Sequence, residues 1–217
     1  MKKLYLLALL LIVSNLASAA GKTKLDRIVS ADMIGLQRAY FEKIAGVAKR
    51  VSDKRRQYDV GGCLVNILED KDKTIVWIEL ENISKRCTFN AASIFLNGPA
   101  HKLTFGQLND VSINGGAKEV CLELCGNAVA PSYGLMVQTP HAMTSIEYDA
   151  NVTHTDASLH AAERLRQQLE KRFPGVELYG DYLDKTIPAK VFTDLWLKEF
   201  RQVRITSIRF GYILFEN

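Results

Sequence analysis

The sequence predicts an α+β protein in which antiparallel hairpins pack against amphipathic helices and disulfides stabilise the fold. Three observations predict this class. Segments with alternating apolar residues, typical of half-buried strands, occur in neighbouring pairs separated by turn residues. Other segments carry apolar residues at steps of three and four, the spacing of amphipathic helices. Four cysteines occur in a chain whose first residues have the features of an export signal.

The first 19 residues predict a bacterial Sec-type signal peptide. Lys2 and Lys3 precede an apolar run from Leu4 to Val13, and the small residues that follow end at Ala19. This run is about half of the roughly 20 residues that a membrane-spanning helix needs. Ala20 stands where a lipoprotein would carry its cysteine. We expect cleavage after Ala19 and a non-lipidated, periplasmic or secreted protein without stable membrane insertion.

Cleavage would leave 198 of the 217 residues, enough for one large domain or two small ones. The cluster Asn97-Gly98-Pro99-Ala100 predicts a boundary between an N-terminal αβ segment, 20–98, and a C-terminal αβ segment, 99–217. The sequence is equally compatible with one shared core. Loss of Lys2 and Lys3 lowers the formal charge from +4 to +2, which does not predict nucleic-acid binding.

In the N-terminal segment, a helix is predicted first, with Ser30 or Asp32 as its cap and Gly46 near its end. The basic run from Lys49 to Arg56 could contact phosphates or anionic envelope polymers, but a solvated helix end is favoured. The apolar residues expected to face the core from this helix are Met33, Leu36, Tyr40, Ile44 and Val47.

The clearest hairpin follows. Alternation predicts extended chain from Tyr58 to Leu68, with a bulge or sharp bend at Gly61-Gly62. A polar turn at residues 70–73 leads to a return strand from Thr74 to Glu81. On that strand, Val76, Ile78 and Leu80 are predicted on one face and Ile75, Trp77 and Glu79 on the other.

Residues 30–85 resemble a known type of bacterial envelope module. The resemblance lies in Tyr40-Phe41-Glu42-Lys43-Ile44-Ala45-Gly46, in Tyr58-x-x-x-Gly62-Cys63, and in Lys73-Thr74-Ile75-Val76-Trp77-Ile78. These features are similar to SmpA/OmlA-type modules and the related β-lactamase-inhibitor-like fold. The resemblance implies a small α/β module that binds other proteins. The lipidation cysteine of many such proteins is missing here.

The C-terminal half predicts an alternation of short helices, a strand pair and two longer helices. The strongest helix is predicted at 157–173, because Thr155 or Asp156 can cap it and apolar residues recur every three or four positions after the cap. Trp196 and Phe200 are assigned to core packing rather than to a docking surface. A short helix at 91–96 is predicted at the end of the N-terminal segment. The elements predicted after the boundary are a short helix at 104–109, a turn at 114–116, strands at 133–139 and 143–152, helices at 157–173 and after Pro188, and a final extended stretch from 203.

The four cysteines allow three complete disulfide pairings. In a continuous strand, Cys121 and Cys125 would lie about 13 Å apart, beyond the 4.4–6.8 Å window of a disulfide, whereas a helical turn would bring them to about 6 Å. Gly126-Asn127 supports local turning. We therefore favour Cys63–Cys87 with Cys121–Cys125, and the two mutual pairings remain open.

Catalytic and metal-binding motifs are weak. The spacing C-x-x-x-C differs from the C-x-x-C of thiol oxidoreductases. His154, Asp156 and His160 spell H-x-D-x-x-x-H, but residues six apart do not share a helix face, and capping by Asp156 is favoured. Ser132 and His141 could meet only through tertiary folding, and no G-x-S-x-G occurs. We assign no catalytic residues, no metal site and no cofactor.

Two functional hypotheses follow. The favoured one is an exported, non-catalytic protein that binds another protein or an envelope component, as an inhibitor, immunity protein or assembly accessory. The alternative is an envelope hydrolase or thiol enzyme, with a site assembled from Ser132, His141, Asp156 or the cysteines. Whether the protein is an enzyme is left undecided by the sequence, with the balance toward a binding role.

Overall fold

The computed structural model describes residues 22–117, 133–141, 144–153, 155–176 and 187–212. Within these ranges it contains eight antiparallel strands in one sheet and five α-helices, which confirms the α+β class. The strands are β1 (Arg50–Ser52), β2 (Arg55–Val60), β3 (Cys63–Glu69), β4 (Ile75–Leu80), β5 (Asn114–Ala117), β6 (Tyr133–His141), β7 (Thr144–Val152) and β8 (Ser207–Gly211). The helices are α1 (Lys24–Ile28), α2 (Arg38–Ala45), α3 (Phe105–Asp110), α4 (Asp156–Arg172) and α5 (Ala189–Phe200).

The last strand joins the two halves of the chain. The order in the sheet is β1-β2-β3-β4-β8-β7-β6-β5, so β8 lies between the first four strands and the other three. Phe210 pairs with Ile78 on β4 and with Tyr148 on β7. The described residues of both predicted segments therefore contribute to one sheet, and their buried apolar side chains form one cluster.

The first long helix is shorter than predicted, and its predicted apolar face is wrong. Ala31–Met33 form a 3-10 turn, and α2 begins only at Arg38, although it ends at Gly46 as expected. Because the chain before Arg38 is not α-helical, Leu36 is out of phase with the buried face, which is formed by Phe41 and Ile44. Of the predicted core residues, Leu36, Tyr40 and Val47 are exposed.

The basic run is not a helix end. It forms β1, a turn and the start of β2, with Ser52 paired to Arg55. The stretch predicted as one strand with a bend is a hairpin, in which Gly61 and Gly62 have φ angles of +65° and +83° that favour glycine. Beyond β3, the polar turn is present, and Asp70 Oδ1 accepts hydrogen bonds of 2.9 Å from the backbone of residues 72 and 74.

Most predicted elements of the second half are present. The turn predicted at 114–116 is an error, because Gly115 and Gly116 lie in β5 and pair with Val137 and Met136. At the start of α4, Thr155 rather than Asp156 is the cap, since its hydroxyl accepts from Ser158 N–H at 3.1 Å. Within the described ranges, no helix is both long enough and apolar enough to cross a membrane.

Aromatic contacts link helices to the buried face of the sheet. The Phe41 ring on α2 lies 4.9 Å from Tyr58 on β2, and Phe200 on α5 lies 5.0 Å from Tyr133 on β6, between centroids. Trp196 stacks on Phe200 at 4.5 Å, and both are fully buried. The prediction that these two residues serve the core is confirmed.

One disulfide is present among the described residues. It joins Cys63, the first residue of β3, to Cys87 in the loop after β4, with 5.4 Å between the Cα atoms. The predicted Cys63–Cys87 bond is therefore confirmed, and the two pairings that would send either cysteine elsewhere are wrong. Cys121 and Cys125 lie outside the described residues, so their bond remains a prediction.

Buried tyrosines predict a loss of stability at alkaline pH. Burial raises the pKa of Tyr148 to about 12, and burial also raises the pKa values of Tyr58 and Tyr133. Above pH 10 the unfolded chain releases these protons while the folded chain keeps them. We expect the free energy of unfolding to fall as the pH rises through 10, with a slope that approaches about 1.4 kcal/mol per pH unit above pH 10 for each tyrosine still protonated in the folded chain, measured by urea titrations between pH 9 and 11.

Tyr148→Phe provides the control for this prediction. Tyr148 donates a 2.7 Å hydrogen bond to the Ile94 carbonyl, so the variant should lose about 1 kcal/mol at pH 7. Above pH 10, the unfolding free energy of the variant should fall less steeply with pH than that of the native protein, by the contribution of one proton. An unfolding free energy that is constant from pH 8 to 11 in the native protein would contradict the assignment.

Candidate functional site

The sheet has a polar face opposite its buried face. Register partners in antiparallel strands project to the same side, and Ile67, Ile78, Phe210 and Tyr148 form one fully buried row. The next row along the strands projects to the other side. It consists of Gln57, Asn66, Glu79, Arg209 and Asp149.

Hydrogen bonds connect this polar row across the strands. Gln57 donates to Asn66 Oδ1 at 3.1 Å, and Asn66 Nδ2 donates to Glu79 at 3.2 Å. Arg209 donates to Glu79 at 3.3 Å and lies 3.9 Å from an Asp149 oxygen. The row is therefore a preorganised network in which carboxylates and donors already hold one another in place, and Asp149 at its β7 end is buried.

Trp77 lies on this polar face and outside the apolar cluster. Only 5% of its surface is exposed, yet it is absent from the main hydrophobic core. The Arg209 guanidinium lies 4.6 Å from the ring centroid and that of Arg55 lies 5.7 Å away, both within cation–π range. Its neighbour on β8 is Gly211, where a Cβ atom would approach Trp77 Cβ to 2.7 Å. Glycine thus allows the close approach of the strands beside the ring.

The hairpin of β1 and β2 supplies unpaired positive charge next to Trp77. Two of its basic residues are already paired. Lys49 contacts Asp59 at 3.2 Å, and this bond, with one from Gly62 N–H, lowers the pKa of Asp59. Within the part of the chain that the structure describes, Arg50, Lys54 and Arg55 make no ion pair. We call these three residues the basic hairpin.

Arg56 is excluded from the basic hairpin because it belongs to a buried ion cluster. Its guanidinium binds Glu69 at 2.9 Å, and Arg38 binds the same carboxylate at 3.0 Å. The hydrogen bond to Glu69 raises the pKa of Arg56. Since Glu69 is buried and binds both arginines, this cluster ties α2 to the sheet, and the charge of Arg56 is already paired.

A groove of about 250 Å³ connects the basic hairpin with the polar row. Arg50 and Arg55, on β1 and β2, line one side, and Trp77, Glu79 and Glu81, on and just after β4, line the other. Asn66 donates to Glu81 at 2.7 Å, which holds that carboxylate against β3. We call this feature the tryptophan groove. Aromatic and arginine side chains of this kind dominate the energetics of protein interfaces.

Several of the residues that the sequence offered for catalysis lie outside the described residues, so a site assembled from them stays a prediction. Asp156 is the first residue of α4, and His160 is exposed on the same helix. Ser132 and His154 lie outside the described residues, as do Cys121 and Cys125, while His141 ends β6. Among the described residues, no three His, Cys, Asp or Glu side chains form a group that could hold a metal ion.

Sequence reasoning placed Trp77 and Glu79 on one face, which the structure confirms, but it missed the groove. Arg209 reaches Trp77 only because β8 pairs with β4. Arg209 and its partner Glu79 are 130 residues apart in sequence. The local signal was present in the basic run, which was assigned to a helix end. Alternation of Arg55, Gln57 and Asp59 with buried Tyr58 and Val60 would have indicated a strand instead.

Comparison of the chain with protein-family models, with curated proteins and with solved structures finds no match. The resemblance of residues 30–85 to SmpA/OmlA-type and inhibitor-like modules therefore stays a prediction.

Proposed function

We propose that this is an exported, non-catalytic binding protein whose partner is an acidic segment of another periplasmic protein. The observation that carries the proposal is the basic hairpin beside the tryptophan groove. Arg50, Lys54 and Arg55 present three charges without an ion-pair partner among the described residues, next to an aromatic ring held in place by two arginines. Such surfaces speed association with partners of opposite charge.

Export is supported by the composition of the first 19 residues and by the Cys63–Cys87 disulfide, since disulfides persist in oxidising compartments. In this proposal, amphipathic helices cover the buried face of the sheet and leave the polar face to the partner. The role is that of an inhibitor, an immunity protein or an assembly accessory.

A comparative capture experiment tests this function. The purified protein and its Arg50→Glu/Arg55→Glu variant are immobilised and exposed to a periplasmic extract of the source bacterium. We expect the native protein to retain one or more proteins. The amount retained by the variant should be at least about ten-fold lower, because attraction between opposite charges becomes repulsion between like charges. Retention should also weaken between low and high salt as exposed charges are screened.

The matched control is Lys171→Glu/Lys190→Glu, which makes the same change in net charge on α4 and α5. Both lysines are exposed, and these helices contact each other rather than β1. This control should retain the partner as the native protein does. Equal loss of retained protein in both variants would mean that only net charge matters. The proposal would be overturned if no protein were retained, or if the Arg50→Glu/Arg55→Glu variant retained as much as the native protein.

A further inference from the structure

A second cavity, with no lining residue in common with the tryptophan groove, has a volume of about 390 Å³. It lies where the loop after β4 meets the start of β8 and the start of α4. Lys85, His101 and Arg204 line it, each from a different part of the chain. No carboxylate side chain of the described residues is among its lining groups. The charged groups among the described lining residues are therefore basic.

Hydrogen bonds hold in place the backbone segments that carry Lys85 and Arg204. Arg204 forms a β-bridge with Thr104, and the next residue donates from its N–H to the Leu103 carbonyl at 3.0 Å. Lys85 lies in a loop closed by two hydrogen bonds. Ser84 N–H donates to the Cys87 carbonyl, and Cys87 N–H donates to Ser84 Oγ. Because Cys87 is bonded to Cys63, the disulfide anchors this loop to the sheet.

The basic groups are not neutralised within the part of the chain that the structure describes. Lys85 and Arg204 are exposed and make no ion pair there, in contrast to Arg38 and Arg56, which share Glu69. His101 Nδ1 lies 3.0 Å from Thr88 Oγ1, which leaves its other ring nitrogen for a ligand. The first turn of α4 is already capped by side chains, so these three groups alone carry the argument.

We propose that this cavity binds a phosphomonoester. Such a group carries close to two negative charges at neutral pH and three strong acceptor oxygens. The Arg204 guanidinium can bind two of the oxygens, the Lys85 ammonium adds a second charge, and His101 supplies a third contact. A carboxylate has one charge and two oxygens, so it would leave one of the cations unpaired. The volume lies within the range of small-molecule sites and leaves room for the organic part of the ligand.

Titration with glycerol 3-phosphate, followed by backbone-amide NMR of the purified protein, tests this site. We expect saturable shifts at Lys85, His101 and Arg204, and at least about ten-fold weaker binding of acetate. Lys85→Gln and Arg204→Gln should each weaken binding of glycerol 3-phosphate at least about ten-fold, because each removes one positive charge and its hydrogen bonds to the phosphate. Lys190→Gln, which changes an exposed lysine on α5, should bind as the native protein does.

Vesicles distinguish a soluble ligand from a lipid. Phosphatidic acid presents a phosphomonoester, whereas phosphatidylglycerol presents a phosphodiester. Binding of phosphatidic acid vesicles that Arg204→Gln abolishes would identify a lipid headgroup, and binding of glycerol 3-phosphate alone would identify a soluble ligand. Equal binding of both vesicle types by native and variant protein, or glycerol 3-phosphate binding that is unchanged in Arg204→Gln, would overturn the proposal.

This site is independent of the tryptophan groove. The Arg50→Glu/Arg55→Glu variant should therefore still bind glycerol 3-phosphate, so failure of one proposal does not imply failure of the other.

Discussion

Trp196→Ala should lower the free energy of unfolding by about 4 kcal/mol, the usual cost of deleting a large buried aromatic side chain. Trp196 is fully buried, stacks on Phe200 with an interplanar angle of 3°, and meets the Phe105 ring edge-on at 4.9 Å. These contacts join α3, α5 and, through Phe200, the strand that carries Tyr133. Urea unfolding followed by far-UV circular dichroism measures the loss, and Trp77 remains as a separate fluorescence probe.

Trp196→Phe separates loss of packing from loss of the indole N–H. That N–H is buried and has no hydrogen-bond partner within the described ranges. Phenylalanine removes the unpaired donor and keeps most of the stacking, so this variant should lose less than about 2 kcal/mol. If the two variants were equally destabilised, the stacked arrangement on Phe200 would be wrong. If neither were destabilised, the placement of α5 against the core would fail.

Local patterns in the sequence were sufficient for most elements because their causes are local. Alternation predicted β3, β4, β6 and β7, since side chains in a strand point to opposite faces. Steps of three and four predicted α4, and its cap lies at Thr155 because a hydroxyl there can reach the N–H of Ser158. The disulfide between Cys63 and Cys87 was favoured because the two residues flank one hairpin.

The errors have physical causes that no local pattern contains. Leu36 was assigned to a helix face, but its carbonyl instead accepts the N–H of Ile75 at 2.9 Å, a contact set by tertiary structure. Ile75 itself was predicted on the same face as Trp77 and Glu79, yet it is buried in the apolar cluster. An irregularity in register between Leu68 and Glu69 coincides with this change of face. Both outcomes depend on which strands become neighbours.

The candidate sites depend on the same long-range choices. The tryptophan groove exists because β8 brings Arg209 over Trp77, and the second cavity exists because Arg204, just before that strand, and Lys85 line the same space. Each contributing residue is ordinary in its local context. Their chemistry becomes visible only when the order of the strands is known, which explains why the sequence predicted a binding role without predicting a site.

Replacement of both cysteines, Cys63→Ala/Cys87→Ala, should lower the free energy of unfolding by about 3 kcal/mol. The bond links residues 24 apart in sequence, and a loop of this length restricts the unfolded chain by about that amount. Alanine suits the site because both sulfur atoms belong to buried residues of the apolar cluster, where a hydroxyl would lack a partner. Urea unfolding of the native and variant proteins measures the difference.

Mass mapping of disulfides in the oxidised protein provides the control. It should yield a peptide pair containing Cys63 and Cys87, and the predicted Cys121–Cys125 bond should then survive in the double variant. Because the loop that carries Lys85 is anchored through Cys87, the same variant should also bind glycerol 3-phosphate more weakly than the native protein. A bond from Cys63 to Cys121 or Cys125, or an unchanged urea midpoint in the variant, would contradict this account of how the sheet and the loop are held together.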